Sequence, residues 1–281
     1  MPANPIPCIT AQDAQIPVLG YGTWQLRGRT CVKGVLKALE LGYRHIDTAQ
    51  IYENESDVGA ALKESAIPRR DIFLTTKVWM DRVRRGDLQR SVDESLERLK
   101  TDYVDLLLIH WPVTEVPFAE QLAALMDVQK NKKTKLIGIS NFNIAQMKDV
   151  VENIKAPIVT NQVEYHPYLS QVPILDYLRA HDMFLTAYCP VARGKVNDDP
   201  VIKALAKKHS KTPGQIALRW LIQQKGVAAI PKAASEKHLR ENIDIFDFNL
   251  SGAEMESLHA LARPDGRLVN PSWPQIWDSA A

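Results

Sequence analysis

The chain has 281 residues, 45% of them hydrophobic and 24% charged, with a formal net charge of +2. Such a length supports a large core, as one α/β barrel or two ordinary domains, and the near-neutral charge excludes a strong pull toward nucleic acid or an anionic membrane surface. Cys8, Cys31 and Cys189 are too few and too scattered for a disulfide framework or a zinc site; no apolar run could span a bilayer, and "MPANPIPCIT" lacks the cationic and apolar regions of a signal peptide. The expectation is a soluble cytoplasmic protein without a metal, a nucleic-acid partner or a membrane partner. No helix face offers an extra apolar surface, which predicts a monomer.

In chain order, "PIPCITAQDAQIPVLG" sets two short apolar runs around a polar turn, which predicts an N-terminal β-hairpin closing the bottom of a barrel. Apolar runs then alternate with helical patterns. The predicted strands are "VLGYG", "RHIDT", "IFLTTKV", "VDLLLIH", "LIGIS", "IVTNQVE", "FLTAYC" and "GVAAIP". Between them, "TCVKGVLKALELG" puts Val32, Val35, Leu36 and Leu39 on one helical face and stops at Gly42. "NESDVGAALKES" starts from Asn54 as a cap, with Glu55 and Asp57 in its first turn. "GDLQRSVDESLERLK" spaces Leu88, Val92, Leu96 and Leu99 as an amphipathic helix. Later helices are predicted over 118–131, 144–153, 171–181, 200–209, 212–224, 235–242 and 251–262.

Eight strand–helix units of roughly 35 residues suit a (β/α)8 TIM barrel, and near-continuously apolar strands suit a parallel sheet covered by helices. A doubly wound sheet would carry a glycine-rich fingerprint after its first strand; "GYGTWQLRG" lacks the GxGxxG spacing. No linker or charge run marks a boundary. The expectation is therefore one domain over residues 1–281, with the N-terminal hairpin and an extra C-terminal helix.

In such a barrel the chemistry sits at the C-terminal ends of the strands. Those exits read Asp47 with Tyr52 in its loop, Lys77, His110, Ser140 with Asn141, Gln162 with Glu164, Tyr188, and Lys232 after Pro231. Taken singly, each has an ordinary reading: a cap, a solvated lysine, a packed histidine. Together, Asp, Lys, Tyr and His make a proton-transfer device. A lysine ammonium beside a phenol favours the phenolate and is expected to lower the tyrosine pKa from about 10. An aspartate keeps that lysine charged, a histidine hydrogen-bonds a substrate oxygen, and the tyrosine acts as general acid.

At these residues the sequence resembles the aldo-keto reductases, over nearly its whole length. "HIDTAQIYENE", "TTKVW", "DYVDLLLIHWP", "GISNF", "NQVEYHP" and "AYCPVARGK" carry the resemblance, and "DGRLVNP" echoes the bacterial branch acting on 2,5-diketo-D-gluconate and methylglyoxal. The resemblance implies a catalytic set of Asp47, Tyr52, Lys77 and His110. It implies a nicotinamide dinucleotide, with Ser140, Asn141 and Gln162 on the carboxamide and Tyr188 stacked on the ring. Arg193 and Lys195 would follow the pyrophosphate, and Lys232, Ala233, His238, Glu241 and Asn242 would hold the adenosine end. Trp24, Trp79 and Trp111 would wall the substrate pocket, with ordinary core packing equally expected for Trp24. Trp273 and Trp277 would either reach the pocket mouth or close the barrel's flank.

The implied reaction is NADPH-dependent reduction of a small-molecule carbonyl to an alcohol. Many relatives grip the 2′-phosphate of NADPH with a lysine, a hydroxyl and an arginine; here the last two positions are Ala233 and His238. NADPH is therefore expected to lead by a reduced margin, with NADH as the weaker alternative, unless Ser235, Lys237 or Arg240 compensates. Short loops and a brief tail predict an open pocket with little apolar surface, suited to methylglyoxal, diketo-sugar acids and short aldehydes. Two rivals are a Schiff-base aldolase, which needs a neutral Lys77 that Asp47 opposes, and a cofactor-binding regulatory or structural barrel with little turnover.

Overall fold

The computed structural model describes residues 6–273 and 275–278. β1 (Cys8–Ala11) and β2 (Ala14–Pro17) pair antiparallel around Gln12 and Asp13, both in left-handed conformation. This is the turn that matches strand twist in a two-residue hairpin.

Eight parallel strands follow: β3 (Tyr21–Gly22), β4 (His45–Asp47), β5 (Phe73–Val78), β6 (Val104–Ile109), β7 (Thr134–Ser140), β8 (Ile158–Glu164), β9 (Phe184–Tyr188) and β10 (Val227–Ala229). They pair in sequence order. The ring closes where Leu19 bridges Ala229, with the Gly20 and Gly22 amides donating to the carbonyls of Ala229 (2.8 Å) and Pro231 (3.1 Å). Every predicted strand is present. Every residue of β5 and of β6 is buried, as parallel strands between a filled barrel and a helical layer require.

The helical layer holds α1 (Gly28–Glu40), α2 (Glu55–Glu64), α3 (Asp87–Leu99), α4 (Phe118–Lys130), α5 (Ile144–Lys148), α6 (Val172–Ala180), α7 (Pro200–His209), α8 (Pro213–Gln223), α9 (Glu236–Ile243) and the extra α10 (Gly252–His259). On α3 the expected stripe Leu88, Val92, Leu96 and Leu99 is buried. Each such side chain removed from water contributes about 1.5–3 kcal/mol. Gly59 lets α2 touch α3, since a Cβ there would lie 2.3 Å from the Arg98 carbonyl. Among the described residues no helix is long and apolar enough to cross a membrane.

Two local expectations need correction. The helix predicted over 144–153 is α5 followed by a wider π-helical turn over Asp149–Asn153. Asn54 stands at the start of α2, but its side chain does not cap it. It donates instead to the carbonyls of Thr23 and Leu26 (both 2.8 Å) and accepts from the Thr48 hydroxyl (2.7 Å), tying the first two strand exits together.

Candidate active site

Asp47 ends β4 and Lys77 lies one residue before the end of β5, both pointing into the barrel and both buried. Lys77 Nζ donates to Asp47 Oδ1 at 2.6 Å, to the Thr48 carbonyl at 2.8 Å and to the Tyr52 hydroxyl at 3.4 Å. An ammonium has three N–H groups. Two are tightly used and the third reaches loosely toward the phenol. Burial lowers the lysine's pKa, and the adjacent Asp47 carboxylate opposes that.

Tyr52 closes the short turn Gln50–Tyr52. Gln50 fixes that turn. Its Nε2 donates to the Ser91 carbonyl and to the hydroxyls of Ser91 and Ser95 (each 3.1 Å), and its Oε1 accepts from the Trp79 amide (2.9 Å). A glycine-type turn could not make these ties, so they account for the polar sequence between strand and helix. The lowered tyrosine pKa expected from Lys77 is overturned: burial first, and then Asp47, push Tyr52 well above 10. Asp47 offsets the lysine's field, and desolvation of a phenolate decides the rest.

His110 follows β6, its ring 5.7 Å from Tyr52 and 5.2 Å from Trp79, both edge-on. Burial, then Lys77, holds its pKa well below 6.5, so the imidazole is neutral. Its Nδ1 is buried and has no hydrogen-bond partner among the described residues.

Beside this cluster lie the ends of the next three strands. Gln162 Nε2 donates to Asp47 Oδ2 at 2.9 Å, a tie that the sequence did not reveal. Ser140 Oγ donates to the Gln162 carbonyl (2.7 Å). Asn141, in left-handed conformation, donates to the His110 carbonyl (3.0 Å) and accepts from the Tyr188 hydroxyl (2.7 Å). Ser140, Asn141, Gln162 and Tyr188 thus form one connected ledge. Arg193 is exposed in a loop where Ala192, Arg193 and Gly194 are all left-handed, and Lys195 is exposed just beyond.

Further round the rim, Lys232 and His238 are exposed and, among the described residues, take part in no ion pair. Ala233 is buried, its carbonyl accepting from Tyr21 (2.8 Å). The candidate substitutes for an arginine are engaged: Ser235 caps α9, Lys237 lies 3.8 Å from Glu241, and Arg240 grips Glu236 (2.6 and 2.9 Å). Glu241 and Asn242 are half-buried in the last turn of α9.

Trp24 is 48% exposed and packs against Tyr52 with 5.3 Å between ring centres, so it is not core packing. The tail does more than its length suggested. Trp273 packs edge-on against Trp79 (5.8 Å) and Trp111 (5.2 Å), and Trp277 against Trp111 (5.9 Å). The expectation of little apolar surface is corrected: Trp24 lies against Tyr52, Trp79 against His110, and the tail's Trp273 against Trp79 and Trp111. A cavity of about 390 Å³ lies between this tail and the loops after β7 and β8, lined by Phe142, Leu169, Ile174, Arg267 and Trp277 and by none of Asp47, Tyr52, Lys77 and His110.

A closed parallel barrel with a buried carboxylate–ammonium pair against a half-buried phenol at its strand exits is the setting in which the comparisons with known proteins fall. Residues 18–263 match the Aldo/keto reductase family. Methylglyoxal reductase DkgB of Salmonella typhi is 41% identical over 267 residues, spanning 94% of this chain and 99% of that protein. The solved structure of a provisionally assigned 2,5-diketo-D-gluconic acid reductase B is 49% identical, with a TM-score of 0.94 over 98% of both chains. A Gox0644 variant in complex with NADPH is 33% identical, with a TM-score of 0.89 over 95% of this chain and 97% of that one. The chain belongs to the aldo/keto reductase family and is an NAD(P)H-dependent oxidoreductase acting on carbonyl groups.

Proposed function

We propose that the protein reduces small activated carbonyls, of the methylglyoxal and diketo-sugar-acid type, to alcohols with NADPH, as a monomeric single-domain barrel. The observation that carries the mechanism is the buried Lys77 held between Asp47 and Tyr52, with neutral His110 facing the same phenol. The names of the relatives support the substrate class.

NADPH, when bound, supplies the hydride. Tyr52 stays protonated through neutral pH because burial and Asp47 hold its pKa high, and that is the form an acid needs. It delivers its proton to the carbonyl oxygen. The phenolate left behind is met by the third Lys77 N–H, now 3.4 Å away and free to shorten. Asp47 keeps the ammonium charged during this change. His110 orients the oxygen: with Nδ1 sealed without an acceptor, the tautomer of lower cost carries its proton on Nε2.

The residues fit a nicotinamide dinucleotide. The ledge of Ser140, Asn141 and Gln162 offers amide and hydroxyl partners for a carboxamide, and half-buried Tyr188 offers a ring face. Lys232 and His238 stand free for a 2′-phosphate, with Arg193 and Lys195 along the path between. A panel of carbonyls read by loss of NADPH absorbance tests the reading. Equal or greater kcat/KM for a bulky apolar ketone than for every small dicarbonyl would overturn the substrate class.

NADH is proposed as the weaker cofactor. A charged hydrogen bond contributes about 1.5–3 kcal/mol, and the His238 imidazole lacks the permanent charge and planar fork of an arginine. His238→Arg is expected to raise the NADPH over NADH ratio of kcat/KM by about 10- to 100-fold. A wild-type ratio above about 1,000, unmoved by the arginine, would assign cofactor choice elsewhere.

A further inference from the structure

Glu164 is the last residue of β8, two positions beyond Gln162 and paired across the ladder with Tyr188. It is wholly buried. Its Oε1 accepts from His166 Nε2 (2.9 Å) and the Leu268 amide (2.7 Å), and its Oε2 accepts from the Val269 amide (2.9 Å). Burial alone would raise a carboxyl here, yet these donors hold Glu164 below the usual carboxylate range. The proposed proton transfer makes no use of this charge.

What the charge does is visible downstream. From Leu268 the tail crosses the loops of β7. Gln275 Nε2 donates to the Asn141 carbonyl (2.9 Å), and the Ile276 carbonyl accepts from Asn143 Nδ2 (3.1 Å). The Asp278 carboxylate accepts from the Ile144 amide (3.0 and 3.2 Å). These neutral or half-exposed ties hold the far end of the tail. The near end is held by a buried anion.

We infer that Glu164 is a positioning residue for substrate: by pinning the 268–269 amides to the end of β8, it sets Trp273 and Trp277 as the pocket wall. The inference rests on the proposal that the carbonyl sits between Tyr52 and His110. Tyr52, Lys77 and Asp47 belong to β4, β5 and the turn between them. Loss of the pin therefore loosens the wall and leaves the proton-transfer cluster in place.

Glu164→Gln replaces one acceptor oxygen with a donor, so at least one of the three N–H groups loses its partner. The variant is expected to raise KM for a short aldehyde about tenfold or more, with kcat held within about threefold. In protein without cofactor, amide hydrogen exchange is expected to quicken across 267–278 and to stay unchanged in β5. Val269→Pro removes a donor from the tail side and leaves Glu164 itself in place. It is expected to raise KM likewise, and the double variant to be no worse than the worse single. If Glu164→Gln does not fold, Val269→Pro decides. Unchanged KM and tail exchange in the foldable variants overturn the inference, as does faster exchange in β8 with kcat falling as far as KM rises. A wild type that reduces no carbonyl defeats the proposed function instead, and tail exchange still decides the pin.

Discussion

The two ends of the barrel both carry ion pairs, and they are built on opposite principles. At the bottom, Asp105 of β6 accepts from Arg69 (2.8 Å), Lys135 (2.8 Å) and the Leu74 amide (3.0 Å). Two cations share one carboxylate, both lie over the Tyr103 ring, and Lys135 is half in solvent. At the top, one ammonium meets one carboxylate and both are sealed. Water helps to carry the bottom charges, so that network can tolerate an imperfect geometry. The top cluster has no such help, and its one loose bond is the one that points at the tyrosine. An unfinished hydrogen bond at a buried cation is costly for stability, and in the proposed mechanism it is useful, because there it strengthens when the phenol gives up its proton.

The sharpest test of that contrast is Tyr52→Phe. It is expected to cost about 100- to 10,000-fold in kcat, with NADPH affinity changed by no more than a few-fold, read by single-turnover kinetics and by fluorescence titration. More than about a tenth of wild-type turnover would show that the proton comes from elsewhere. The matching change at the bottom is Asp105→Asn. It is expected to destabilise the fold by about 1–3 kcal/mol in urea while kcat stays within about twofold, since no reacting group lies at that end. A kcat loss as large as that of Tyr52→Phe would erase the distinction between the two ends.

The smallest effect concerns an acid away from both ends. Glu254 joins α10 to α7, accepting from Lys208 (2.7 Å), His209 (2.9 Å) and the Ser251 amide (2.7 Å). Against the opposing effect of burial, Lys208 and then the Ser251 and His209 bonds lower its pKa from 4.5 to about 2. A carboxyl depressed on folding stabilises above its unfolded pKa, and that contribution fades as pH falls through the folded one. Stability measured from pH 4.5 down to about 2 is therefore expected to fall less steeply in Glu254→Gln than in wild type. An identical slope would remove Glu254 from the acid response.

Much of this was legible in the sequence because it depends on periodicity and on strand ends. Eight apolar runs gave the barrel, and reading each exit gave Asp47, Tyr52, Lys77 and His110, which the fold brings into contact. What stayed hidden depends on distance between segments far apart in the chain. The Gln162 bond to Asp47 spans 115 positions, and the Glu164 bond to Leu268 spans 104. No local pattern encodes either. The Tyr52 pKa was misjudged for a related reason: a list of neighbours gives the sign of each charge but not the desolvation that outweighs Lys77. The tail was only half read: its tryptophans were given two places, and only their contacts with Trp79 and Trp111 choose between them.

The seam between β3 and β10 sets a schedule for folding. Gly20 and Gly22 wait for the carbonyls of Ala229 and Pro231, so the ring cannot close until more than four-fifths of the 281 residues have left the ribosome. Until then the growing sheet has two open edges, one at β3 and one at the newest strand, each able to pair with another chain. Pairings this distant in sequence also slow the search for the native state. All four residues of the proposed proton-transfer set lie before residue 111, yet a fragment ending before Val227 would hold them in an open sheet, prone to associate. In such a fragment water would reach the Lys77–Asp47 pair that closure seals.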